Sequence, residues 1–234
     1  MEKLGESLTS NADNVEALNL MSIILRRNGE EELARQTLRE AERIDPLNLT
    51  TAFELYQLAK KTGGRTAALA LINFFRDEAD NYLETASRYI LAGFYSDAAE
   101  ILHLATAPEV PMTSVNPMIY YYMGYCYYKN NEVADAQSWF AKAAAMNTDG
   151  CFPYGHVSYS VLSEAVKSNL KDANAYFLLG NLLCDHAPQL AKKAWQQAAS
   201  IKDSPGVNRN LAFILAHIDD VPTQAVENSI MPCS

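Results

Sequence analysis

Histidine and cysteine are the residues most able to do chemistry in this chain, and neither set assembles into a reactive group. The four histidines are His103, His156, His186 and His217. Asp185-His186 and His217-Ile218-Asp219-Asp220 each put a carboxylate beside an imidazole, a beginning for metal ligation or acid–base work. Neither has a third ligand at helical spacing, and both fall at helix ends, where polar residues are ordinary. Cys126, Cys151, Cys184 and Cys233 form no C-x-x-C pair and have no His at zinc spacing. Three of them lie in or beside apolar helical stretches, as buried thiols do. There is no glycine-rich phosphate loop, no G-x-S-x-G and no H-E-x-x-H. The expectation is a chain with no catalytic residue, no cofactor and no metal.

What remains is noncovalent recognition. The formal net charge of -9 argues against nucleic acid, which needs clustered Lys and Arg. No apolar run approaches the ~18 residues of a membrane span. The opening MEKLGESLTS has no signal-peptide core. The expected compartment is therefore the cytoplasm, or the periplasm if a signal-bearing segment lies upstream. The aromatic side chains are concentrated in one place, the run Tyr120 to Tyr128, which offers apolar area with hydroxyl handles.

Helices must position these residues. Asn14 to Asn28 carries Leu18, Met21 and Leu25 on one face, with Arg26 and Arg27 in the last turn and Gly29 after it. Glu30 to Ile44 follows and is closed by Asp45-Pro46. The pairing then recurs. Leu49 to Lys61 and Arg65 to Asp77 flank Gly63-Gly64; Asp80 to Leu91 and Ser96 to Ala105 flank Gly93; Pro117 to Lys129 and Glu132 to Met146 flank Asn130-Asn131. Ala173 to Asp185, Pro188 to Ile201, Pro205 to His217 and a short Pro222 to Ser229 complete the set. Asn116-Pro117, Ala187-Pro188 and Ser204-Pro205 are helix openings. No period-2 strand is present.

A small–large–small rhythm runs through the second helices: Ala34-Leu38-Ala41, Ala68-Ile72-Phe75, Ala98-Leu102-Ala105, Ala136-Phe140-Ala143, Ser158-Leu162-Ala165, Ala191-Trp195-Ala198. Ser22, Tyr56, Ala86, Gly124 and Gly180 precede most of these at near-constant distance. An internal period near 34 residues means stacked helical hairpins, each covering the apolar face of the next. Small residues let helices approach and large ones fill the space beside them. The longer connection Thr106 to Asn116 and the turn-rich Asp149 to Gly155 interrupt the period. The latter leaves His156 to Ser168 as a second helix without its first, which should re-pitch the stack.

This rhythm, with Gly124, Gly180, Tyr127 and Pro46, resembles the tetratricopeptide repeat family over about residues 15 to 230. The resemblance implies an all-α, right-handed superhelical α-solenoid of about five full pairs plus a half-repeat. One array would fill 1–234. A residual helix of an upstream repeat would occupy 1–14; repeats 15–48, 49–78, 79–112 and 117–150; a half-repeat 151–172; and repeats 173–204 and 205–234. In such arrays the first helix of each pair lines a concave groove. That places Tyr121, Tyr125, Tyr128, Phe177, Asn181, Arg209 and Phe213 on a peptide-binding surface. The competing reading is that the tyrosine run packs internally and against the half-repeat helix; Tyr120 and Tyr127 are core under either reading. Chaperone-binding relatives hold a terminal carboxylate with a basic and Asn clamp. Here those sites read Asn19, Ile23, Phe53 and Gln57, without the Lys, so that activity is not expected. Arg26, Arg27, Lys60 and Lys61 are either solvated helix ends or a contact for an acidic peptide.

Asn81 to Glu84, Tyr120 to Tyr128, Cys151-Phe152-Pro153 and Gly180 to Leu183 further resemble the C-terminal repeat portion of larger bacterial proteins. Those carry a galactose-mutarotase-like β-sandwich domain. The expected function is a noncatalytic protein–protein interaction scaffold that binds a peptide, or its own missing β-sandwich domain, through the groove. The alternative is an accessory helical module of a larger carbohydrate-active protein. A sugar-binding tyrosine groove is a weaker third. Exposed Leu4, Leu8, Ile214 and Ile230 at the ends would favour an end-to-end homodimer.

Overall fold

The computed structural model describes residues 11–217. The expected helices at Met1–Leu8 and Pro222–Ser229, and the end residues Leu4, Leu8 and Ile230, lie outside them. Among the described residues the chain forms helices and no strand. They are α1 (Val15–Arg27), α2 (Glu31–Ile44), α3 (Leu49–Phe75), α4 (Ala79–Leu91), α5 (Tyr95–Leu104), α6 (Pro111–Ser114), α7 (Pro117–Lys129), α8 (Val133–Ala144), α9 (Gly155–Ser168), α10 (Ala173–Leu183), α11 (Pro188–Ile201) and α12 (Pro205–His217).

Local signals start and reverse these helices. Asn14 Oδ1 accepts the Ala17 N–H at 3.1 Å and opens α1. At its other end Gly29 sits at φ 84°; its N–H reaches the Arg26 carbonyl, and the Glu30 N–H reaches the Leu25 carbonyl. These are the paired bonds of a Schellman turn. The same pair recurs after α4, from Gly93 and Phe94 to Ile90 and Tyr89. It recurs again after α7, from Asn131 and Glu132 to Tyr128 and Tyr127, with Asn131 at φ 65°. Three hairpins thus turn on one device. The second turns differently: α3 runs through Gly64, whose φ 48° and ψ −130° only glycine adopts without strain, and this splits α3 into two arms. The long connection before α7 contains α6, which the period did not predict. Asp77 holds it by accepting the Met112 and Thr113 N–H groups at 2.9 and 2.7 Å.

The hairpins stack in order, making an all-α solenoid. First helices meet first helices, α1 on α3, α3 on α4 and α4 on α7; second helices meet the next first helix, α2 on α3, α5 on α7 and α11 on α12. The small–large–small residues are the seam: Ala34, Leu38, Ala41, Ala98, Leu102, Ala105, Ala143, Leu162, Ala165, Ala191 and Ala198 are all fully enclosed. Ala68 of the second hairpin is only half-buried, and an apolar hollow of about 290 Å³ opens between the two arms of α3. Ile214, expected to be exposed, is fully enclosed against α11 with Val207 and Trp195.

Two glycines fix the tightest approaches. A Cβ on Gly124 would lie 2.5 Å from Phe140 Cδ1, and one on Gly180 would lie 2.3 Å from Trp195 Nε1. Alanine is the better helix former by about 1 kcal/mol. Overpacking costs about 1–3 kcal/mol when the neighbour cannot move, and both rings are enclosed at a hairpin interface. Gly124→Ala and Gly180→Ala should each unfold at lower urea concentration than wild type, a loss where propensity alone gives a gain.

A buried ion network ties the first three hairpins together. Arg26 forks onto Glu54, Nε to Oε2 at 2.7 Å and Nη2 to Oε1 at 3.0 Å. Its Nη2 also reaches Asp97 at 3.0 Å, and Arg27 reaches the other Asp97 oxygen at 2.8 Å. Tyr89 donates its hydroxyl to Glu54 at 2.7 Å, and the Glu54 side chain is 0% exposed. Burial works against the Arg26 charge, but Glu54 and Asp97 outweigh it and raise its pKa. Arg26→Ala strands the Glu54 carboxylate and should cost about 3–5 kcal/mol in urea unfolding. Arg43→Ala, which removes only exposed pairs with Glu40 and Asp13, should leave the midpoint in place.

Candidate functional site

α7 presents tyrosine on every side, and its neighbours decide which of these remain open. Gly124 faces Phe140 of α8. On that side Tyr120 and Tyr127 stack on Trp139, with ring centroids 6.0 and 6.3 Å apart. The Tyr127 hydroxyl pairs with His103 Nε2 at 2.8 Å. Tyr120 is core as expected, whereas Tyr127 keeps part of its surface.

The opposite side meets α9. α9 packs on α7, α10 and α4, so it lies across the first helices of three hairpins rather than behind them. Tyr122 and Ser158 share a 2.9 Å hydrogen bond in the interior. Val161, Leu162 and Ala165 are fully enclosed. α9 thus covers much of the face that repeat geometry assigned to a groove.

Tyr121 is corrected by this arrangement. It is 0% exposed, and its hydroxyl donates to both Asp172 oxygens at 3.0 and 3.1 Å. It links hairpins instead of meeting a partner. Tyr125 stays half-buried and meets Tyr95 edge-on at 6.4 Å, with Lys129 Nζ 5.7 and 5.8 Å from the two rings. Tyr128 is 39% exposed beside it. Tyr125 and Lys129 form one wall of a cleft of about 460 Å³; Tyr159, Ser163, Glu164 and Lys167 of α9 form the other. Burial, then Tyr95 and Glu164, raise the Tyr125 pKa, so its hydroxyl stays a neutral donor.

The remaining expected groove residues do not join this cleft. Asn181 Oδ1 accepts from Trp195 Nε1 at 3.1 Å and Asn210 Nδ2 at 2.8 Å, which fixes α11 and α12 to α10. Phe177 is half-buried, and its carbonyl accepts the same indole N–H at 3.2 Å. Arg209 is exposed and reaches Asn210 at 3.3 Å, and Phe213 is 52% exposed. Packing of the tyrosine run against the half-repeat helix is the competing reading of the sequence, but the open wall that α9 adds is not readable there, because His156 to Ser168 reads as a second helix. The missing first helix before it was the one signal that α9 sits elsewhere.

The basic group near the first hairpins is also corrected. Arg26 and Arg27 are committed to Glu54 and Asp97, Lys60 holds Glu100 at 2.7 Å, and Lys61 lies 3.6 Å from Glu31. No surplus positive charge is left for an acidic peptide. Asn19 is buried and bonded to Asn48 and Thr51. Burial raises the Cys126 and Cys151 thiols, Cys151 to about 12, so neither is a thiolate at neutral pH. Among the described residues no three His, Cys, Asp or Glu side chains converge as metal ligands, and no helix is long and apolar enough to cross a membrane.

No protein-family model and no curated protein matches the chain. Solved structures with distant likeness include MamA, 18% identical over 73% of this chain and 88% of that one, at a TM-score of 0.34. PilF of Pseudomonas aeruginosa is 14% identical over 92% of this chain and 88% of its own, at 0.31. YrrB, described as a TPR protein with an unusual peptide-binding site, is 14% identical over 96% and 88%, also at 0.31. At that distance no residue role transfers, and the hairpin stacking stands on this chain's own turns and contacts.

Asp172 gives the α7–α10 junction a pH dependence. It caps α10 through the Ala175 N–H at 2.9 Å and accepts from Tyr121. Burial raises its pKa against the lowering effect of those bonds. A carboxyl raised in the fold binds protons more tightly there than in the unfolded chain. Its contribution is therefore full below the unfolded value and is lost as pH rises through the folded one. Asp172→Asn keeps one acceptor oxygen for the Ala175 N–H but not the titration. In urea unfolding across pH 3 to 7, wild type should lose ground to Asp172→Asn as pH rises.

Proposed function

We propose that this chain is a noncatalytic docking scaffold and that a partner's peptide segment lies in the cleft between α7 and α9. The observation that carries this is the cleft itself. Two helices hold tyrosine rings, hydroxyls and lysine ammonium groups around about 460 Å³ of open space. Rigid aromatic area with polar handles is the composition from which binding hot spots are built. Enclosure of Tyr121 narrows the proposed contact set to Tyr125 and Lys129 on α7, with Tyr159 and Ser163 on α9, and leaves Tyr128 exposed outside the cleft lining.

The test is site-specific photocrosslinking in the native cell, with the crosslinker at Tyr159 and, as control, at the exposed Leu91. A partner should be captured from Tyr159 and not from Leu91. Tyr125→Ala/Tyr159→Ala should weaken the purified complex by about tenfold or more without changing helical content. Capture from both positions alike, or a double variant that binds as wild type, would remove the cleft from consideration.

A further inference from the structure

A third pocket, of about 190 Å³, lies where α4, α7 and α9 begin, away from the α7–α9 cleft. Its lining combines aromatic rings with carboxylates. Phe152 is 79% and Tyr154 47% exposed, on either side of Pro153, so two aromatic rings stand in water beside the opening. Glu78 and Asp80 line the same pocket, and neither makes an ion pair with any described residue. The Asn116 Oδ1 is occupied, since it accepts the Met118 N–H at 2.9 Å and the Cys151 thiol at 3.6 Å. The Tyr154 hydroxyl feels burial and then the Asp80 and Glu84 carboxylates, which together raise its pKa to about 12.

Glu78 at the N-cap and Asp80 in the first turn both stand at the positive end of α4, and Glu78 makes no side-chain cap bond, so its carboxylate oxygens stay open to a donor. The first N–H groups of α7 are unavailable, since Pro117 has none and Met118 donates to Asn116. Unpaired carboxylates against open aromatic faces favour a cation that can stack and fork at once. A guanidinium does both, whereas an ammonium offers only a point charge. The net charge of -9 steers such a group inward.

We propose that this pocket binds an arginine side chain presented by a partner protein, stacked on Phe152 and hydrogen-bonded to Glu78 and Asp80. The probe is a capped peptide with one arginine among glycines, titrated into the full chain and followed by amide NMR shifts. The control is the same peptide with citrulline, which keeps the shape and loses the charge. Saturable shifts confined to the amides around Asp80 and Phe152–Gly155 are expected with arginine and not with citrulline. Glu78→Gln/Asp80→Asn should weaken binding about tenfold. Phe152→Ala, which removes a ring lying mostly in water and leaves the core intact, should weaken it separately. Equal binding of citrulline, shifts spread over the acidic surface, or undiminished affinity in Glu78→Gln/Asp80→Asn would each overturn the proposal. Because the α7–α9 cleft is untouched by these variants, the outcome is independent of the partner segment proposed there.

Discussion

Enclosed tyrosine hydroxyls find partners around α7, and that pairing fixes the neighbouring elements, whereas the Tyr82 hydroxyl of α4 is buried without one among the described residues. The ring gains by burial; its hydroxyl costs free energy unless bonded. Tyr120 reaches the Ser114 carbonyl in α6, Tyr121 reaches Asp172 at the start of α10, and Tyr122 reaches Ser158 in α9. Tyr127 pairs with His103 of α5. Four surrounding elements are thus each tied to one helix through a tyrosine hydroxyl, and for the buried bonds of Tyr121 and Tyr122 a loss would leave a polar atom unpaired. The open cleft is what remains on the stretch where Tyr125 and Tyr128 keep contact with water.

The first half of the array obeys a different constraint. In an ideal solenoid each hairpin touches only its neighbours. Here Arg26 and Arg27 of the first hairpin reach Asp97 of the third, passing Glu54 of the second on the way. Glu16 and Arg88 pair across the same gap. The second hairpin is therefore held at its first arm by charge, while its other arm leaves an apolar hollow and turns on a glycine that no other residue replaces without strain.

Much of this was legible because it is written in short-range signals. Gly29, Gly93 and Asn131 mark the turns by the backbone angle they permit, and the small–large–small spacing marks the seams. Gly124 and Gly180 announce close approach, and both face a ring. What was not legible depends on long-range partners. Tyr121 and Tyr125 are one turn apart on the same side of α7, and only the placement of α9 and Asp172 decides that one is enclosed and the other open. Arg26 and Arg27 look like ordinary helix-end cations, and nothing local ties them to carboxylates 28 and 71 residues away. Asp77 likewise gives no sign in sequence of holding α6.

The ion network that passes through the second hairpin also bears on how this array can change length. Repeat proteins gain and lose units readily when each interface is a self-contained copy of the last. Loss of the hairpin that supplies Glu54, or insertion of another before Asp97, would leave a guanidinium or a carboxylate without its counterion in the interior. The number of units in this stretch is thereby fixed by electroneutrality, and lineages of this sequence should vary in repeat count elsewhere first.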